Sequence, residues 1–185
     1  MSKLCKLAEK YICDKCPKYH HYYTEEYHNI LKDKKYNKML EIGIGTKELM
    51  TAYTNDNYQE GASLYMWKEY FENCKVYGCD IKNIKLNNIE TFVVDQSNEQ
   101  QLENMMNNIG NCDFIIDDGS HILSHQIISF LTLWKYTNDI YIIEDVYQQH
   151  FNILSQLENE VPNCKCIKTY IHEKDIQGFV CFKRI

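Results

Sequence analysis

A chain of 185 residues suits one compact domain and can bury enough surface to fold without disulfide staples. A hydrophobic fraction of 44% excludes a disordered chain, the 2 prolines and 7 glycines exclude collagen-like and linker-rich ones, and a formal charge of −6 disfavours a nucleic-acid partner. Apolar runs such as Ile140–Ile143 are far too short to span a bilayer. Lys3, Lys6, Glu9 and Lys10 stand at the N-terminus without an apolar stretch, which reads as no secretory signal and a cytoplasmic setting, where the 9 cysteines are reduced thiols.

A polar, aromatic segment runs to Tyr36 and reads as an N-terminal extension over 1–36, ahead of a domain over 37–185. Met39–Ile42 then reads as a strand, and Leu64, Trp67, Tyr70 and Phe71 fall at helical spacing. Val76–Cys79 and Thr91–Val94 are the next two strands, and a helix from Gln101 to Ile109 stops at Gly110. Phe114–Ile116 is a fourth strand, followed by a helical stripe at Leu123, Ile127, Phe130, Leu131 and Trp134. Ile140–Ile143 is a fifth strand, and Gln148–Leu157 reads as a helix. Cys166–Ile171 and Phe179–Lys183 close the set as an antiparallel pair. Apolar runs without alternation, interleaved with helices, predict an open α/β sheet covered on both faces, with ligands outside the carboxyl ends of its strands.

Acids mark those ends. Glu41, Asp80, Asp95, Asp117, Asp118, Glu144 and Asp145 lie in or just after successive strands, which would gather them on one rim. The first strand runs on as Glu41-Ile42-Gly43-Ile44-Gly45, where glycines allow a close approach to a ligand; taken alone, the run is also an ordinary glycine-rich turn. Asp80 closes the second strand, where a carboxylate can hold ribose hydroxyls in NAD and S-adenosylmethionine proteins alike.

Met39–Gly45 resembles the first motif of class I S-adenosylmethionine-dependent methyltransferases. Four further segments resemble the metal-dependent sugar O-methyltransferases of macrolide biosynthesis: Gly61–Phe71, Val76–Ile81, Asp113–His121 and Ile143–Tyr147. Asp14-Lys15 and His21–Tyr27 resemble that group's N-terminal motif, although Cys16 stands where the group usually has glycine and Gly61-Ala62 where it often has two glycines. The resemblance implies a Rossmann-like fold with a seven-stranded, mostly parallel sheet and a short helical N-terminal extension. It also implies S-adenosylmethionine held by Glu41, Gly43, Gly45, Ser63, Asp80 and Asp95, with Asp95 near the adenine.

Methylation of a sugar hydroxyl calls for in-line positioning, a lowered hydroxyl pKa and a base. Hard Mg²⁺ takes carboxylates and water, and Asp118, Glu144 and Asp145 at adjacent strand ends suit it. By the resemblance these three are the metal ligands, with Asp117 able to replace or support Asp118, and His121 is the general base. His125 at i+4 from His121 would also suit zinc, as would Cys13-x-x-Cys16 with Cys164-x-Cys166, but neither has a full ligand set at the usual spacing. The tyrosines between Tyr19 and Tyr27 read either as a lid over the cofactor or as a segment packed on the sheet edge. The implied partner is a small-molecule sugar, with no nucleic acid and no membrane, and the group's exposed helices admit a homo-oligomer. A catechol-like hydroxyl as acceptor and a non-catalytic cofactor-binding module are the competing functions.

Overall fold

The computed structural model describes residues 1–185. Each apolar run read as a strand is one, and together they make a single sheet. The strands are β1 (Lys38–Ile42), β2 (Lys75–Asp80), β3 (Glu90–Val93), β4 (Cys112–Asp117), β5 (Thr137–Tyr147), β6 (Cys164–Tyr170) and β7 (Gln177–Arg184), in the order β3-β2-β1-β4-β5-β7-β6. The first five are mutually parallel; β7 enters antiparallel between β5 and β6. The expected Rossmann-like architecture is therefore present, with the chain's topological reversal at β1 and β4.

Alternate residues of each central strand feed two cores. Met39, Val76, Phe114, Ile116, Ile140 and Ile142 pack under α1 (Lys3–Tyr11), α2 (Thr24–Leu31) and, beyond the short α3 (Lys47–Met50), α4 (Ala62–Tyr70). Leu40, Tyr77, Ile115, Tyr141 and Ile143 pack under α5 (Glu99–Ile109), α6 (Leu123–Leu133) and α7 (Phe151–Ser155). This is why the strands show no polar face: both sides are covered. Phe114, fully buried, meets the rings of Tyr36, Trp67 and Phe71, and deleting such a side chain costs about 3–5 kcal/mol.

Residues 1–36 share the first core. Leu4, Ala8, Tyr23, Tyr27 and Leu31 are wholly buried, and Tyr27 packs on both Trp67 and Phe179. Tyr23 and Tyr27 are thus interior packing residues and Tyr19 and Tyr22 are half-buried, while Asp14, His20 and His21 of the same segment line the cavity described below. Local sequence starts and stops the helices: the Ser2 hydroxyl accepts from Cys5 N at α1, the Asn98 side chain accepts from Gln101 N at α5, and Gly110 with φ 73° ends α5. The helix expected over 148–157 is instead α7 flanked by 3₁₀ turns, from Gln148 to Asn159. No helix is long and apolar enough to cross a membrane.

Candidate active site

Register brings the strand ends level. Ile42 pairs with Asp117, and Asp117 with Ile143, so Gly43, Asp118 and Glu144 stand at one height along three adjacent strands. The carbonyl of Ile42 accepts from Asp118 N at 2.8 Å, which ties the two loops together. Gly43 has φ 89°, and a Cβ there would lie 2.0 Å from the Asp118 carbonyl oxygen, so the position requires glycine.

Above this rim lies a cavity of about 1060 Å³, large enough for a nucleoside-sized ligand together with an acceptor. Gly43, Gly45, Ser63, Asp80, Asp95, Asp118, His121 and Asp145 all line it. On one side the Asp80 carboxylate accepts from Ile44 N at 2.9 Å and from Lys82 N at 2.8 Å, which fixes the glycine loop against β2. Asp95 accepts from Ser97 N and its hydroxyl, and these bonds hold its carboxyl below the usual range.

On the other side are the paired acids. Asp118, His121 and Asp145 offer ligand atoms that all lie within 4.8 Å of one another, a set a hard divalent ion can use. His121 Nε2 is 3.6 Å from Asp145 Oδ2, and Asp145 Oδ1 accepts from the Tyr23 hydroxyl at 2.8 Å with His21 Nε2 3.4 Å away. His121 and Asp145 both adopt left-handed backbone, with φ 57° and 52°, a conformation that side chains adopt at about 1–2 kcal/mol and that recurs at functional sites.

Asp117 and Asp118 diverge, as neighbours on a strand must. Asp117 is buried away from the cavity, where it accepts from Gln96 Nε2 at 2.9 Å and from the Ser129 hydroxyl. Burial pushes its carboxyl up to about 6 against the pull of those donors. Glu41 and Glu144 are likewise buried and do not line the cavity. Both face Lys15, whose ammonium lies 2.6 Å from Glu144 Oε2, 2.5 Å from Asp118 Oδ2 and 3.4 Å from Glu41 Oε1. Burial works against the charge on Lys15, but Asp118, Glu144 and Glu41 outweigh it and hold the ammonium well above the ordinary lysine range. Burial also raises Glu41 to about 7, opposed chiefly by Lys15, and neither of its oxygens receives a hydrogen bond.

Lys15, His21, Tyr23 and Gln96 are the site residues that composition and spacing do not single out. Asp14-Lys15 and His21–Tyr27 carry the resemblance as a motif, yet nothing local assigns them a role. His125 lines the cavity but is bonded to the Ser120 hydroxyl at 2.9 Å, outside the Asp118–His121–Asp145 group. The cysteines do not assemble: all nine are free, and Cys13 and Cys16 belong to one core while Cys164 belongs to the other, across the sheet.

No family model matches the chain. Curated relatives do. The chain is 30% identical over 155 residues to mycinamicin VI 2''-O-methyltransferase of Micromonospora griseorubida, covering 80% of this chain and 37% of that protein. It is 31% identical over 155 residues to demethylmacrocin O-methyltransferase of Streptomyces fradiae, with the same coverage. It is 36% identical over 118 residues to 8-demethyl-8-alpha-L-rhamnosyl tetracenomycin-C 2'-O-methyltransferase of Streptomyces olivaceus, covering 61% of this chain and 29% of that one. The chain thus spans well under half the length of these relatives. Among solved structures, MycE methyltransferase from the mycinamycin biosynthetic pathway, in complex with Mg and SAH, superposes with a TM-score of 0.74 at 24% identity, over 97% of this chain and 54% of that one. An O-methyltransferase from Bacillus cereus superposes at 0.61 and 15% identity, over 100% and 91%. The chain therefore has the class I methyltransferase fold, and over four-fifths of its length it resembles part of the sugar O-methyltransferases of the macrolide and tetracenomycin group.

Proposed function

We propose that this chain transfers a methyl group from S-adenosylmethionine to a sugar hydroxyl on a small-molecule glycoside, assisted by Mg²⁺ or a similar divalent ion. The observation that carries the reading is the joint placement, in one cavity, of the Gly43–Gly45 loop with Asp80 and, beside it, of the Asp118–His121–Asp145 group. Relatives named for O-methylation of mycinamicin VI, demethylmacrocin and a rhamnosyl tetracenomycin-C support the acceptor class.

The residues suit both cofactors. Gly43 packs so closely on the Asp118 backbone that no side chain fits, which sets the glycine loop into the cavity wall, and Asp80 lines the same wall, where it would hold the ribose hydroxyls. Asp95 and Ser63 line it too and would face the adenine and the body of the cofactor. Glu41 would act from beneath the loop through Lys15. Asp118 and Asp145 would hold the divalent ion from the cavity wall, and Glu144 would complete the set from behind, where it now pairs with Lys15. When bound, the sulfonium supplies an electrophilic methyl group and the divalent ion lowers the hydroxyl's pKa.

The chain's own residues supply the rest. His121 Nε2 would accept the hydroxyl proton as the oxygen takes the methyl group and the methyl–sulfur bond breaks to release a neutral thioether, and the imidazolium would then face Asp145 Oδ2 at 3.6 Å. Tyr23 keeps Asp145 in place by donating to its other oxygen. Leu49, Tyr53 and Tyr147, largely exposed at the cavity's mouth, offer apolar surface to the acceptor. The test is methyl transfer from labelled S-adenosylmethionine to a panel of glycosides and nucleotide-activated sugars, with Mg²⁺ and with excess chelator. A labelled glycoside formed only with Mg²⁺ is the expected result. Full transfer in chelator overturns the metal role, and transfer only to catechols overturns the acceptor class.

A further inference from the structure

Lys15 is an unusual occupant of such a site: a lysine 1% exposed, whose ammonium donates to Asp118 and Glu144 and lies 3.4 Å from Glu41. The backbone holds it there, because its carbonyl accepts from both Tyr23 N and Thr24 N at the start of α2. Its ammonium contacts Asp118 and Glu144 from the inner side, opposite the cavity that Asp118 and Asp145 line. Without that charge, Glu41 and Glu144, both fully buried, would have no cation beside them.

We propose that Lys15 is the resident cation of this acid cluster: it keeps Asp118 and Glu144 assembled when no divalent ion is bound, and it lowers the affinity for any ion that does bind. The second half rests on the divalent-metal reading given above. Two effects oppose each other on removing Lys15. The acids lose their pre-ordering, which weakens ion binding, and the ion loses a like charge a few ångströms away, which strengthens it. At that separation in a buried site the Coulomb interaction with a doubly charged ion exceeds what ordering two side chains costs, so the repulsion decides the sign. Lys15 is thus a positioning residue that makes metal occupancy reversible without unfolding the rim.

The experiment is Lys15→Met, a near match in length without the charge, studied beside the wild type by thermal melting in chelator and in saturating Mn²⁺, and by electron paramagnetic resonance of free Mn²⁺. In chelator the variant is expected to melt at least about 10 °C below the wild type, since breaking a buried ion cluster on one side leaves uncompensated charge. Mn²⁺ is expected to restore most of that loss, with an affinity at least about tenfold above wild type. A variant that melts with the wild type in chelator, or binds Mn²⁺ no more tightly, overturns the proposal. Should Lys15→Met not accumulate, Lys15→Met with Glu144→Gln removes one charge of each sign; its recovery as a folded protein supports the proposal, and its failure to fold overturns it. Wild type that binds no Mn²⁺ defeats the metal reading and the second half with it, while melting in chelator still decides the first.

Discussion

The two walls of the cavity are built by different means. The wall around Gly43, Gly45, Asp80 and Asp95 is made of loop backbone and of acids that bond to nearby amides: Asp80 to Ile44 and Lys82, Asp95 to Ser97. The wall around Asp118, His121 and Asp145 is backed by the buried charges of Glu144 and Lys15, and Lys15 comes from a segment more than a hundred residues away. The first kind tolerates solvent and costs little to form. The second is favourable only if every partner arrives, because a single missing charge leaves another stranded in a medium that solvates it poorly. A wall of the first kind can thus be built from loop backbone, whereas a wall of the second kind depends on the whole fold.

That contrast can be broken most sharply at His121. Replacing it by alanine is expected to cut turnover by roughly 10²–10⁴-fold, the usual worth of a general base, while calorimetry shows S-adenosylhomocysteine binding nearly unchanged. Equal loss of binding would mean that the two walls are not separable in this way. Gly43→Ala should come next, since it strikes where they meet: the new Cβ collides with the Asp118 carbonyl. Strain at a left-handed position plus the displaced loop should cost about 2–4 kcal/mol in chemical denaturation and lower both cofactor and metal affinity.

Asp117→Asn isolates the support behind the acids. The folded carboxyl is raised to about 6, so it keeps its proton longer than in the unfolded chain. Stability from this group is therefore full below about pH 4 and declines as pH rises through 6, by roughly 2–3 kcal/mol. The variant should lack that share of the decline in melts taken from pH 4 to 7, and the slope left above about pH 4.5 includes the buried Glu41, raised to about 7, and Glu144, which burial holds well above the usual carboxylate range. Smallest of all is Tyr23→Phe, which removes one hydrogen bond to Asp145 at 2.8 Å. About 1–2 kcal/mol of stability should go, with turnover falling by less than about tenfold. A larger loss would give Tyr23 a direct part in the reaction.

The local wall was the legible one. Alternating strands and helices, acids at strand ends and Gly43 beside Gly45 are all visible within short windows, and the structure puts each of them on the rim or just beneath it. Lys15 was not visible, because a lysine among polar residues reads as solvated and its partners lie 103 and 129 positions away. The end of β5 is hidden in the sequence for a related reason. Glu144-Asp145 looks like the close of a strand over Ile140–Ile143, yet β5 runs on to Tyr147. Its register with β7 shifts between Ile143 and Val146, and this irregularity, with Asp145 in left-handed backbone, turns the acids without ending the strand. Sequence shows that β6 and β7 pair; it does not show that β7 is the inner one.

That placement bears on how the protein is made. The apolar run of β5 is translated some thirty-five residues before β7, the strand that will cover its open edge from Ile140 to Tyr147. During synthesis β5 therefore waits with unpaired backbone and Ile142 and Ile143 uncovered on that side, the kind of edge that recruits a neighbouring nascent chain. A version cut after β5 or β6 should not yield a smaller soluble domain. It should aggregate through β5, and a synthetic peptide of 177–184 added in trans should compete for the same edge.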